Sequence, residues 1–174
     1  MTFARSLGFA ALAGAGVPLF VGGLGPLLGH AFALELYIVS AGAGYLAVMA
    51  GNPRRAVVAA ACAGAIGMLL LLLPLRLPAL VAGTALMIAV GRSTFLHRSG
   101  SLRAVTLELL LQGGGLLLAR YLAGSDAISL ALATWGYFLV QSLYFLVGGI
   151  ALRRPAPVGD PFDQARTRLL ALLE

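Results

Sequence analysis

The chain has 174 residues, 60% of them hydrophobic and only 10% charged, with a mean hydropathy of +0.98. Soluble domains carry about 25% charged residues, so this composition excludes one and indicates a membrane protein. The formal net charge of +6 rests on arginine alone, with no lysine, and because the arginines punctuate apolar runs the charge reads as a topology signal and not as a nucleic-acid surface.

Crossing a hydrocarbon core about 30 Å thick takes about 20 helical residues. The chain divides into apolar runs at roughly 7–28, 31–50, 56–74, 79–96, 104–123 and 127–152, each long enough to span. They are apolar all round, without the alternation that a lipid-facing barrel needs. The prediction is an all-α integral membrane protein of six transmembrane helices in residues 1–154, followed by a cytoplasmic linker and amphipathic helix in 155–174.

The first run follows MTFAR, which resembles the basic start of a secretory signal, but the apolar stretch is too long and no polar mature region follows. It is therefore expected to stay as an uncleaved helix. Pro18 falls near mid-membrane, and a Gly-Pro pair lies near the far end. The second run carries Glu35 about a turn inside its outer end. In the third, Cys62 sits among small residues in AAACAGA and has no second cysteine with which to form an intrachain disulfide, so it reads as helix packing.

The stretch GRSTFLHRSGSLRAVTLELL, residues 91–110, joins runs four and five. If HRSGSLR is a tight turn centred on Gly100, Arg92 lies as far before the turn as Glu108 lies after it. An antiparallel hairpin then brings the two side chains to one depth. A charge at the centre of a span costs about 2.5–3.5 kcal/mol on insertion scales and generally finds a partner inside the bundle. A buried Arg92–Glu108 pair is expected, in preference to Arg92 reaching the headgroups alone.

Further along run five, Glu108, Gln112, Gly115 and Ala119 share a helical face, and Gly113, Gly114 and Gly115 require either close packing or an unwound segment. Run six offers a facing stripe of Thr134, Tyr137, Gln141, Tyr144 and Gly148, so Gln112 and Gln141 are expected to meet. At the opposite membrane level, Arg120 matches Glu35 in depth and is expected as its partner, with Arg76 and Asp126 as competitors. The candidate intramembrane polar network is thus Arg92, Glu108, Gln112, Gln141, Glu35 and Arg120.

The tail DPFDQARTRLLALLE has Asp160 to cap a helix and Pro161 for its first position. Phe162, Ala165 and Leu169 share a side, which predicts a short amphipathic helix on the inner headgroups or on a partner. Arg5, Arg54, Arg55, Arg98, Arg103, Arg153, Arg154, Arg166 and Arg168 all fall on one side of the membrane if the first helix runs outward, against Arg76 in an opposite loop. By the positive-inside rule both termini are cytoplasmic, in a bacterial-type inner membrane.

Aligning residues 31–51 with 104–124 gives seven ungapped identities and sets Glu35 on Glu108. The offset relates helices one to three with four to six, which implies a weak 3+3 inverted repeat. No metalloprotease, nucleophile-elbow, C-x-x-C or phosphate-loop motif occurs, and His30 and His97 are expected on opposite faces, so no catalytic residue, cofactor or metal site is assigned. The first functional expectation is a non-catalytic membrane subunit or assembly or accessory factor of a larger membrane complex. A small transporter or substrate-binding transport component comes second, and a lipid-modifying enzyme third. Expected partners are membrane lipids and other membrane subunits or further copies of the chain, with no nucleic acid.

Overall fold

The computed structural model describes residues 3–96 and 102–151, with side chains over 3–94 and 105–146. Six helices account for nearly all of it, and no strand occurs among the described residues: α1 (Phe3–Leu28), α2 (His30–Met49), α3 (Pro53–Leu72), α4 (Leu77–Leu96), α5 (Leu102–Leu122) and α6 (Ala127–Ala151). Each is long and apolar enough to cross a membrane, which makes this a multi-pass membrane protein. Residues 97–101, where the tight turn is expected, and 155–174, where the linker and amphipathic helix are expected, lie outside the described residues.

Local chemistry sets the breaks between helices. Gly29 alone separates α1 from α2, with φ at +86°, a value a side chain would oppose. Its N–H donates to the Gly25 carbonyl at 2.8 Å, and its own carbonyl receives the Ala33 N–H at 2.9 Å. After α2, Gly51 turns the chain at φ +67°, Asn52 Oδ1 accepts the Arg54 N–H at 3.0 Å, and Pro53 opens α3. Before α6, Asp126 accepts the Ser129 N–H at 2.9 Å and the Ser129 hydroxyl at 2.7 Å. These bonds favour its ionised form and hold its carboxyl below the usual carboxylate range, the Ser129 hydroxyl contributing most.

The most extensive interface joins α1 to α6, and α1 also packs on α2. From α2 the bundle extends to α3 and α4. On the other side α5 packs on α6 and, among the described residues, barely touches α4. Among the described residues α2 packs on α3 nearly as extensively as α5 packs on α6, whereas α1 lies broadly on α2 and α4 makes few contacts with α5.

Small residues set these distances. In lipid, apolar side chains gain little by leaving the tails, so helices adhere through close packing and polar contacts. At Gly14 a Cβ would lie 2.8 Å from Trp135 Cβ and 3.1 Å from the Ala131 carbonyl, which puts the α1 and α6 backbones in near contact. Gly42 receives Thr84, Gly91 receives Leu46, and Gly67 receives Val39. Between α1, α2 and α6, the rings of Phe9, Tyr45 and Phe138 meet at centroid distances of 5.1–5.4 Å and form the aromatic part of the core. Leu12, Leu19, Leu72, Leu109 and Leu117 point outward, an arrangement that suits lipid and not water.

Gly67 and Gly64 give a matched test within α3. A Cβ on Gly67 would run into Val39 Cγ1, and Val39 is β-branched with little freedom to move; a Cβ on Gly64 meets nothing within 4 Å. Gly67→Ala is expected to lower thermal stability in detergent by about 1–3 kcal/mol, the usual cost of overpacking, while Gly64→Ala leaves it unchanged or slightly raised. Equal effects of the two would show that α2 and α3 do not pack through Gly67.

Candidate functional site

Four helices bring polar side chains together at the end of the bundle where α1 starts. Helices alternate in direction, so the C-terminal parts of α2, α4 and α6 meet the N-terminal part of α5 there. Arg92 on α4 is the centre, and its side chain is 0% exposed. A wholly buried guanidinium demands counter-charge and hydrogen-bond acceptors, because its desolvation costs several kcal/mol.

Two neighbouring helices supply them. Glu108 on α5 places Oε2 3.6 Å from Arg92 Nη1, with its own side chain 14% exposed. Gln141 on α6 accepts a hydrogen bond from Arg92 Nη2. The guanidinium also lies over the Tyr144 ring at 4.8 Å and near the Tyr45 ring at 5.9 Å, close enough for cation–π attraction. Because α4 hardly touches α5, the link between them is made by the length of the Arg92 side chain and not by packed backbones.

Gln141 is the junction. Its Nε2 donates to the Leu111 carbonyl at 3.1 Å and lies 3.3 Å from Gln112 Oε1, while the Tyr45 hydroxyl reaches its backbone carbonyl at 3.4 Å. Gln112 in turn donates to Glu108 Oε1 at 3.2 Å, as the one-turn spacing on α5 allows, and accepts the Tyr137 hydroxyl at 2.7 Å. Of the three central glycines only Gly115 is needed for this. A Cβ there would lie 3.1 Å from Gln141 Nε2 and 3.0 Å from the Tyr137 ring, whereas one on Gly113 meets nothing and one on Gly114 makes an ordinary contact. α5 stays helical throughout, so the glycine run is a site of close approach and not an unwound segment.

Four of the six residues singled out in the sequence thus converge: Arg92, Glu108, Gln112 and Gln141. Glu35 and Arg120 do not. α2 is surrounded by α1, α3 and α4, and α5 lies beyond α6, so the two helices share no packing. Among the described residues no ion pair joins Glu35, which is half-buried, to Arg120 or to Arg76, both exposed. Equal depth fixes one coordinate only, and here the lateral one disagrees.

The side chains that sequence reasoning missed are Tyr45, Ser6 and the Arg92–Gln141 bond itself. Tyr45, the one polar side chain in AGAGYLAVM, was the available signal, while nothing marked Ser6. Elsewhere, His30 lies against Gly25, and among the described residues no group of three His, Cys, Asp or Glu side chains is placed to hold a metal ion. A groove of about 450 Å³ lies between α2, α3 and α4. It is apolar, lined by Cys62, Ala63, Leu70, Gly83, Leu86 and Val90 among others, and none of the network residues reaches it. The chain matches no protein-family model, and no curated protein or solved structure is significantly similar to it.

Removing one partner of a buried pair leaves an uncompensated charge, so Arg92→Met or Glu108→Leu alone is expected to cost about 3–5 kcal/mol. The double replacement should recover most of that loss. Gln141→Leu, which strips an acceptor from a charged donor, should cost about 1.5–3 kcal/mol and more in the presence of Arg92 than in the Arg92→Met background. Thermal unfolding cycles in detergent measure both couplings. Strict additivity would mean that the side chains do not interact.

Proposed function

We propose that the protein is a non-catalytic polytopic membrane protein, serving as a membrane subunit or an assembly or accessory factor of a larger membrane complex. One observation carries this reading: the buried polar side chains cluster at one end and are largely satisfied by one another, while the described groove is apolar. A permease for polar solutes needs polar groups along its path. An adhesive membrane component needs close-packing faces within and an apolar surface without, and the exposed leucines and valines of α3 and α5 supply the latter.

The orientation that fits this role has both termini in the cytoplasm of a bacterial-type inner membrane, so that Arg54, Arg55 and the arginines of the α4–α5 turn and the tail lie inside. The tail over 155–174 is then a cytoplasmic amphipathic helix resting on headgroups or on a partner subunit. Lipids and either other membrane subunits or further copies of the chain are its partners.

Reporter fusions test the orientation. A reporter active only in the cytoplasm should work after Glu174 and within residues 97–103, and activity of a periplasm-only reporter at either place contradicts it. For the role itself, protein extracted in mild detergent should migrate in an assembly of defined stoichiometry that shrinks when residues 155–174 are deleted. Reconstituted alone in liposomes it should pass no small solute. A single-copy species that carries a solute down its gradient would overturn the reading in favour of transport.

A further inference from the structure

The groove between α2, α3 and α4 opens to the outer surface of the bundle. Leu46 and Ala63 lie buried at its floor, and Ile66, Leu86 and Val90 stand exposed at its rims. On α3 it runs from Ala59 to Leu70, eleven residues on, or about 16 Å of helix. On α4 it runs the same length in the opposite direction, from Thr94 to Gly83, and Gly83 lies against Leu70 at the far end. The short side chains of Ala59, Cys62 and Ala63 leave open a space that larger ones would fill.

Length and width together select the occupant. About 16 Å is close to half of a hydrocarbon core about 30 Å thick, the depth of one leaflet. The volume of about 450 Å³ spread over that length leaves a mean cross-section of about 30 Å². A helix is about 10–12 Å across with its side chains and needs about three times that area, so a helix of a second copy or of a partner subunit could lie only across the rims. An extended hydrocarbon chain fits between them.

The end of the groove at Ala59 is the charged one. Arg55 lies one turn before Ala59 on the same face of α3, in the series Arg55, Ala59, Cys62, Ile66 and Leu70 at helical spacing. It is exposed, and among the described residues no ion pair engages it. A hydrocarbon chain in the groove therefore ends beside a fixed positive charge at the start of α3, and an arginine next to a membrane span attracts anionic headgroups. Arg54, the next position round the helix, points away from this face.

We propose that the groove is a binding site for one acyl chain of an anionic phospholipid, held between α3 and α4 while the lipid phosphate meets Arg55. The walls supply contact along the chain, and the arginine selects the headgroup charge. The site adds a specific lipid to the role proposed above and stands whether or not the protein belongs to a larger assembly.

Fluorescence quenching in vesicles tests it on the full chain. Trp135 is the sole tryptophan, so Trp135→Phe provides a silent background into which Val90→Trp places an indole at the groove rim. Leu110→Trp places one on the exposed surface of α5 at the same depth, by the level that Arg92 and Glu108 share. Lipid brominated on its acyl chain is titrated into phosphatidylcholine vesicles, as phosphatidylglycerol in one arm and phosphatidylcholine in the other. The Val90→Trp indole should be half-quenched at an about fivefold lower fraction of phosphatidylglycerol than of phosphatidylcholine, the preference expected from one arginine near the surface. The Leu110→Trp indole should not distinguish the two lipids. Arg55→Gln should remove the preference, Arg54→Gln should keep most of it, and Cys62→Phe, which fills the groove from an exposed position, should remove it with Arg55 intact. Equal quenching by both lipids at Val90→Trp overturns the proposal. So does the same preference at Leu110→Trp, or an equal loss in Arg54→Gln and Arg55→Gln, since either would show a general surface field and no site. Weak quenching by both lipids at Val90→Trp alone would mean that protein covers the groove, and overturns it as well.

Discussion

A guanidinium that cannot reach water must be matched by the protein around it, and at Arg92 that requirement organises four helices. The charge sits on α4, which packs on α2 but scarcely on α5 and shares no backbone contact with α6. Its side chain nevertheless ends among groups of α2, α5 and α6. Those groups are tied to one another through Gln112, Tyr137 and the Leu111 carbonyl, so the loss of any one changes what the others must satisfy. An apolar side chain of the same volume would pack without such demands. The arginine therefore contributes to which helices meet and in which register more than to net stability.

Close packing makes the network geometrically feasible. Where α5 meets α6, Gly115 lets the Gln141 amide approach the α5 backbone and reach the Leu111 carbonyl one turn earlier. Where α1 meets α6, Gly14 admits Trp135, and on α1 the Tyr37 hydroxyl donates to the Ala13 carbonyl, beside the Gly14 carbonyl that Pro18 leaves without its usual N–H partner. α1 remains one continuous helix in spite of two internal prolines, because neighbouring helices enclose it on both sides. The lipid-facing surface carries the large aliphatic side chains, so this protein places its polar chemistry inside and its leucines outside.

Much of this could be read in the sequence, and what could not has a physical reason. The six spans follow from uninterrupted apolar length, and their ends shift by a few residues where capping decides them. Asn52 and Pro53 start α3 earlier than hydrophobicity alone indicates, although both are strong start signals. Arg92 and Glu108 come together as their symmetry about Gly100 requires, because a hairpin couples sequence distance to depth. Glu35 and Arg120 share a depth without meeting, since lateral neighbours are chosen by small-residue faces that an Ala-, Gly- and Leu-rich composition scarcely distinguishes. The bond from Arg92 to Gln141 joins two helices that are not consecutive, and no local spacing encodes it.

The Arg92 guanidinium is enclosed between α4, α5 and α6 instead of reaching the headgroup region alone. Solid-state magnetic resonance on protein in lipid bilayers, with nitrogen-labelled arginine and carbon-labelled glutamate and glutamine, tests it most directly. Dipolar contacts from the Arg92 guanidinium to the Glu108 carboxyl and Gln141 amide carbons are expected, together with slow exchange of the guanidinium protons with water. Contacts to neither residue, with protons exchanging as fast as those of a free arginine, would contradict it.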